Sequence, residues 1–250
     1  MPRFFVRMAY DGTDFHGWQR QPHSASVQQA VEEAIAMLFR QDYSIFGCGR
    51  TDTGVHASCF YFHVDLPEMS EKHIFKLNAI LPRSVVLYQF YEVDESAHAR
   101  FDATKRSYQY FAHGFDTPFL NLYSSRIVEL KRLTVDQLNE TASILTNYTD
   151  FTPFCKKHAD NKTNNCQLSQ CSWSYMSDNR QFVLDITSDR FLRGMVRLIV
   201  GTCVLVAKGD VELDEVKEAL ESHSNLSKNL SAPPQGLFLN QIEYPYIPKA

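Results

Sequence analysis

The chain has 250 residues, 44% of them hydrophobic and 22% charged, enough to bury a core in one large domain or two smaller ones. Its formal net charge of −4 excludes a generally basic nucleic-acid binder, though a local basic cleft depends on where charges sit rather than on their sum. The longest apolar stretch, Met195 to Ala207, is short and carries Arg197, which excludes a membrane-spanning helix there, and no membrane partner is expected.

The start, Met1-Pro2-Arg3-Phe4-Phe5, runs straight into a strand pattern with no leader signature, so a cytoplasmic location is expected. Cys48, Cys59 and Cys203 lie in apolar contexts and read as small buried hydrophobes. Cys155, His158, Cys166 and Cys171 are zinc-type ligands by residue type, but they lack the close Cys-x2-Cys pairs of structural zinc sites. No metal is expected.

Phe4 to Tyr10 reads as a first strand with one covered face. A loop over residues 11–24 follows, in which Trp18 reads as a packing anchor and Arg20 and Gln21 as groups able to reach phosphate or base edges. Ser26 caps a helix, with Gln29 completing a capping box. Val27, Ala30, Val31, Ala34, Ile35 and Leu38 make its apolar stripe. Ser44 to Cys48 reads as a short strand, and Val55 to Val64 as another. Ser70 caps a second helix that Pro82 ends, and Val85 to Val93 is a strand.

Residues 94–103 form a polar bridge, and a similar order then begins again. Arg106 to Ala112 is a strand with Tyr108, Tyr110 and Ala112 on one face. Thr134 and Gln137 open a helix striped by Leu138, Ala142 and Leu145. Residues 147–165 read as a long polar segment. Gln167–Tyr175 and Gln181–Thr187 make two strands around the turn Ser177-Asp178-Asn179. Phe191 to Ala207 reads as a long helix, Leu213 to Leu220 as a shorter one, and Leu237 to Tyr244 as a closing strand. The expectation is an α+β protein with two similar α/β halves, 1–104 and 105–250, helices packing on one face of largely antiparallel sheets.

Between the third and fourth predicted elements lies Gly49-Arg50-Thr51-Asp52-Thr53-Gly54-Val55-His56-Ala57. Two glycines bracket an Arg and an Asp, so a sharp turn at a strand tip is expected, with Asp52 either capping its own backbone or presented to a substrate. The stretch resembles the catalytic motif of the tRNA pseudouridine synthase A family. So, in order along the chain, do Tyr10-Asp11-Gly12-Thr13 with Gly17-Trp18-Gln19-Arg20-Gln21, Asn78-Ala79-Ile80-Leu81-Pro82, and His98-Ala99-Arg100-Phe101-Asp102-Ala103-Thr104 leading to Arg106-Ser107-Tyr108. Phe191-Leu192-Arg193-Gly194-Met195-Val196-Arg197 and Gly236-Leu237-Phe238-Leu239 complete the set.

The resemblance implies an isomerase that turns uridine into pseudouridine at positions 38, 39 and 40 of the tRNA anticodon stem-loop, a homodimer, no cofactor, and two sheets joined into one around a cleft. It makes Asp52 the catalytic carboxylate, attacking C1′ or removing the 2′ proton. A buried carboxylate stays ionised only beside a cation, and the resemblance points to Arg197 for that part and to Arg50 for organising the loop or the extruded nucleotide. A lone Arg in an apolar helix also fits snorkelling to water. Tyr108 and Tyr110 are equivalent by spacing; the resemblance selects Tyr108 to stack on the target base and sets Leu237 beside it. Arg20, Arg100, Arg106 and Arg193 are expected to grip RNA, with Lys105, Lys156, Lys157 and His158 as further candidates. Arg193-Gly194 and Thr53 depart from the commonest family pattern. Two other readings fit the residues: a silent RNA-binding module, and a glycosidase that draws a second carboxylate from Asp11, Asp14 or Asp102.

Overall fold

The computed structural model describes residues 1–155 and 162–248. The chain divides into two compact units, one of Met1–Thr104 with Phe238–Ala250 and the other of Lys105–Leu237.

The first unit runs β1 (Arg3–Tyr10), α1 (Val27–Phe39), β2 (Phe46–Gly47), β3 (His56–Asp65), α2 (Glu71–Ile80) and β4 (Val85–Val93). β1 is central and pairs antiparallel with β3 and β4, for instance Val6 opposite both Phe62 and Phe90. The predicted 44–48 strand shrinks to the two residues of β2, paired to His63 and Phe62. Phe4, Phe5, Val6 and Met8 are all buried, so β1 is covered on both faces near its start rather than on one. The second cover is aromatic: Tyr244 and Tyr246 set their rings edge-on to Phe5, at 5.2 and 5.9 Å between centroids.

The helices sit where their stripes predict. Val27, Val31, Ala34 and Ile35 are the buried residues of α1, and Ile74 and Leu77 those of α2. Ser26 accepts the Gln29 N–H, but the Gln29 amide donates to Glu33 at 2.8 Å, so only half of the expected capping box forms. Ser70 occupies the N-cap of α2 without a side-chain cap bond and meets His73 instead.

The second unit runs β5 (Lys105–His113), β6 (Ser125–Arg126), α3 (Val135–Leu145), β7 (Leu168–Met176), β8 (Gln181–Ser188), α4 (Met195–Ala207) and α5 (Leu213–Glu221). β8 pairs antiparallel with β5 on one side and β7 on the other, and short β6 runs parallel to β5. Thr134 and Gln137 form the complete capping box at the start of α3. The stretch expected to be polar over 147–165 carries a 3-10 turn, Thr152–Phe154, that buries Pro153 and Phe154 beside buried Phe151. Helix α4 begins four residues later than its apolar run. Gly194 at its N-cap has φ 74, a left-handed conformation that glycine takes without steric cost, so Phe191 to Arg193 stay in the preceding loop.

Both units fasten a helix to an edge strand by the same device. The Asn78 amide of α2 donates to Leu87 O and accepts from Leu87 N in β4, both at 2.8 Å. The Asn139 amide of α3 does the same to Trp173 of β7, at 2.9 and 2.7 Å. Each asparagine completes the main-chain pairing that an edge strand lacks.

The last strand, β9 (Leu237–Glu243), was expected with the second half. It instead pairs parallel to β3 through His56↔Phe238 and Ala57↔Leu239, so residues from Phe238 onward belong to the first unit. Tyr244, just beyond it, donates its hydroxyl to Ala99 O.

A buried histidine gives this unit an acid-sensitive point. His63 is 2% exposed and its Nδ1 accepts the Ala99 N–H at 3.1 Å. Burial first, then Arg3 and His98, lower its pKa to about 4 from the ordinary histidine value of 6.5. The unfolded chain therefore binds this proton more readily than the folded one. The stability that depends on neutral His63 is complete above about pH 6.5 and is lost as pH falls towards 4. The unfolding free energy from urea titrations should fall between pH 7 and 4.5 by about 2 kcal/mol more in the native chain than in a His63→Gln variant.

Candidate active site

The loop that carries Asp52 is braced from outside its own stretch of chain. The Trp18 N–H donates to Thr51 O at 3.3 Å, the Gly54 N–H to Phe15 O at 3.3 Å, and the Cys48 N–H to Tyr61 O at 2.8 Å. The hydroxyls of Tyr10 and Thr51 share a buried hydrogen bond of 2.9 Å. Within the loop, the Val55 N–H closes a turn on Asp52 O at 3.2 Å. Thr51 is thus held by its carbonyl and its side chain, and Asp52, half-buried, is the next residue.

Two glycines allow this approach. A Cβ on Gly12 would lie 2.1 Å from Val55 O. One on Gly17 would lie 2.3 Å from Thr51 O, and Gly17 has φ +88 besides. Trp18, 3% exposed, stacks on Phe60 at 4.1 Å, the packing role expected of it. Gly12 N–H donates to His56 Nδ1 at 3.0 Å, and the His56 ring stacks on Phe238 at 4.6 Å. The bracketing glycines of the motif itself differ. Gly54 takes φ 74, whereas Gly49 has no positive φ and open space where a Cβ would sit.

In the second unit, three of the expected site residues gather at the loop between β8 and α4. The Tyr108 ring meets Phe191 edge-on at 5.1 Å, Arg106 donates to Asp189 O at 2.8 Å, and Arg193 is exposed in the same loop. A second group gathers on residues 232–237. Arg197 Nε donates to Ala232 O at 2.6 Å, and the Ala232 N–H returns a bond to Arg197 O at 3.0 Å. Tyr110 donates to Pro233 O at 2.9 Å. Leu237 is buried at the start of β9. Arg197 therefore does not simply extend to water: its guanidinium is oriented by backbone.

The two tyrosines that spacing left equivalent are now distinct. Tyr110 is fully buried, its hydroxyl is spent on Pro233, and burial raises its pKa. Tyr108 is half-buried. Tyr110 is core, and Tyr108 is the ring with an accessible side.

Comparison with known proteins decides the family. The profile described as tRNA pseudouridine synthase matches residues 148–245. A tRNA pseudouridine synthase A from Porphyromonas gingivalis is 41% identical over 98% of this chain and 98% of its own length. The enzyme of that name from Bacteroides fragilis is 42% identical over 97% of this chain and 96% of its own. The one from Thermoanaerobacter pseudethanolicus is 33% identical over 98% and 100%. The chain belongs to the tRNA pseudouridine synthase A family.

As a member of the tRNA pseudouridine synthase A family, the chain places its expected site arginines in different settings. Arg50 is exposed on the Asp52 loop. Arg20 is half-exposed and pairs with Glu32 at 3.1 Å, a surface pair worth little in water. Arg100 is exposed, with its guanidinium 5.8 Å from the Phe101 ring centre. Lys105 is exposed at the start of β5. Lys156, Lys157 and His158 lie outside the described residues.

Among the described residues no group of three His, Cys, Asp or Glu side chains is placed to hold a metal. His158 of the Cys155, Cys166 and Cys171 set lies outside them. Cys48, Cys59 and Cys203 are buried as expected, and so are Cys166 and Cys171. Burial pushes the Cys166 thiol up to about 12, and a thiol is a poor ligand until it loses its proton. Among the described residues no helix is long and apolar enough to cross a membrane.

What sequence reading missed at the site was the bracing. Tyr10, Gly12 and Gly17 stand some 34 to 41 residues before Thr51, and no local pattern joins the two stretches. The signal was present only as a second glycine-bearing motif, Tyr10 to Gln21.

Proposed function

We propose that this chain isomerises uridine to pseudouridine in the anticodon stem-loop of tRNA, at positions 38, 39 and 40, as a cytoplasmic homodimer that needs no cofactor. The observation that carries the reading is the Asp52 loop. In a chain aligned end to end with tRNA pseudouridine synthases A, Asp52 is the half-buried carboxylate next to a residue fixed by both its carbonyl and its hydroxyl. A rigid support of this kind is what a reacting group requires.

The reaction moves one bond. The C1′–N1 bond of uridine breaks, the uracil turns over, and a C1′–C5 bond forms. The hydrogen on C5 leaves as a proton and N1 gains one, so atoms and electrons balance without a second substrate. Asp52 either bonds transiently to C1′ or removes the 2′ proton. Arg197 is assigned to keep that carboxylate ionised, and its backbone-oriented guanidinium supports the assignment. Tyr108 is assigned to the face of the extruded base, because its neighbour on the strand face is committed to the core. Leu237 lies beside the base and Arg50 organises the loop. Arg20, Arg100, Arg106 and Arg193 contact phosphates of the RNA, as a base taken out of its stack demands an independent grip on the backbone.

Two of the three carboxylates open to the glycosidase reading, Asp11 and Asp102, are engaged elsewhere. Asp11 Oδ1 accepts from the N–H and the hydroxyl of Thr13, at 2.9 and 2.6 Å. Asp102 Oδ2 accepts from the His98 N–H and the Tyr246 hydroxyl, both at 2.8 Å. Both are occupied in holding turns and loops.

Incubation with unmodified tRNA, followed by carbodiimide treatment and primer extension, tests the reading. Stops at positions 38 to 40 are expected, and none in the D or acceptor arms. Stops confined to another arm, or no stops at all, would remove the assignment.

A further inference from the structure

A cavity of about 620 Å³ opens in the second unit, and none of the residues assigned above lines it. Its floor exists because residue 114 is glycine. A Cβ there would lie 2.6 Å from the Lys131 backbone nitrogen, so only glycine lets the 3-10 turn Val128–Lys131 lie against the end of β5. Three aromatic rings line the cavity beside aliphatic side chains: Phe115, Tyr175 and Phe182, with Tyr175 and Phe182 edge-on at 5.0 Å. Two cations, Lys131 and Arg180, line it, and no Asp or Glu does.

Arg180 occupies an unusual backbone position. It has φ 53, at the end of the β7–β8 turn, where glycine or asparagine fits with less strain than a long side chain. That conformation goes with a guanidinium set 4.7 Å over the Phe115 ring. Lys131 Nζ is 3.9 Å from Asp116, whose other oxygen already holds Arg126 at 2.6 Å. Lys131 is therefore loosely held and free to turn towards another anion. Tyr175 is 48% exposed, so one face of the wall is open to a flat ligand.

Aromatic walls beside two cations, in a cavity of small-ligand size, match one chemistry: a planar base joined to a phosphate. We propose that this cavity is a nucleotide subsite that takes one unstacked nucleotide of the RNA substrate, its base against Tyr175 and Phe182 and its phosphate on Lys131 and Arg180. The proposal rests on the RNA reading above and extends it to a surface that the catalytic residues do not touch. Lone nucleotides share this chemistry, so the test separates the two sources.

The experiment measures binding of labelled, unmodified tRNA at three salt concentrations by fluorescence anisotropy. The proteins are the native chain, the Lys131→Gln/Arg180→Gln double variant, Tyr175→Leu and Tyr175→Phe. Uridine 5′-monophosphate is titrated against the same proteins by calorimetry. The double variant should bind tRNA about 10-fold more weakly, with a salt slope shallower by about 0.7 as one single-strand phosphate contact is lost. Tyr175→Leu should also lose about 10-fold, and Tyr175→Phe, which keeps the ring, should match the native chain. The loss should fall on KM rather than kcat.

Native tRNA affinity in both the double variant and Tyr175→Leu would overturn the proposal. So would a cavity that binds uridine monophosphate in a Lys131- and Arg180-dependent way while tRNA affinity stays unchanged, since that is a free-nucleotide site. Affinity lost only in step with dissociation into monomers, read by light scattering, would also overturn it in favour of a contact between copies. Pseudouridine formation by the native chain on the same tRNA keeps the two readings apart. If it is absent, the functional reading fails; if it is present while the variants bind normally, only the subsite fails.

Discussion

Asp52→Asn should leave tRNA bound and stop the reaction. The amide has the shape of the carboxylate but can neither bond to C1′ nor accept the 2′ proton at neutral pH, so both routes open to Asp52 are lost together. The expected loss of single-turnover rate is on the order of 10⁴-fold or more. The fold should survive, because the loop is held by Thr51, Gly54 and Cys48 rather than by Asp52's side chain alone. Melting temperature and tRNA affinity within a few-fold of native, with product absent, is the pattern that separates a catalytic residue from a structural one. A variant that binds tRNA no better than an unrelated protein would assign Asp52 to binding. One that makes product at the native rate would move the chemistry elsewhere.

Gly17→Ala should do damage at a distance from any reacting atom. The new methyl would start 2.3 Å from Thr51 O, and residue 17 holds φ +88, where alanine is strained whatever the space. Strain and clash together should cost about 3 kcal/mol or more. The chain relieves the clash by moving either the 11–18 loop or the Thr51 carbonyl, and the second displaces Asp52 directly. A shift of about 1 Å in a reacting group costs roughly 100-fold in rate. The variant should therefore show a lowered urea midpoint and a kcat loss larger than any change in tRNA affinity. Lost stability with full activity in the remaining folded fraction would mean that the Thr51 brace does not set the position of Asp52.

These two expectations also mark what the sequence made legible. Elements fixed by local periodicity were readable: the stripes of α1 and α3, the bounds of β4 at Val85 and Val93, and the hairpin of β7 and β8. Elements fixed by contacts far along the chain were not. Phe151 and Phe154 look like isolated apolar residues in a polar run, yet both are fully buried. The start of α4 depended on a single backbone angle at Gly194, which an apolar run extending to Phe191 does not reveal. β9 looked like the end of the second half because it follows that half in sequence; its pairing with β3 is a matter of tertiary register.

The site shows the same division. Arg50, Thr51 and Asp52 are contiguous and so stand out as a motif, whereas the brace joins Tyr10 to Thr51 and Gly12 to Val55 across more than forty residues. Tyr108 and Tyr110 differ in burial, which a shared strand face does not encode. Once Tyr110's hydroxyl is seen on Pro233, it falls to the core, while Tyr108 keeps an accessible side.

Forming a C1′–C5 bond must expel the hydrogen from C5, which gives the most direct measurement. The native chain and Asp52→Asn are each mixed in excess with tRNA carrying tritium at C5 of its uridines, and tritium released to water is counted over one turnover. Release by the native chain, equal in amount to the uridines at positions 38 to 40 and absent with Asp52→Asn, is the predicted result. Release by Asp52→Asn at the native rate, or none from the native chain, contradicts the account.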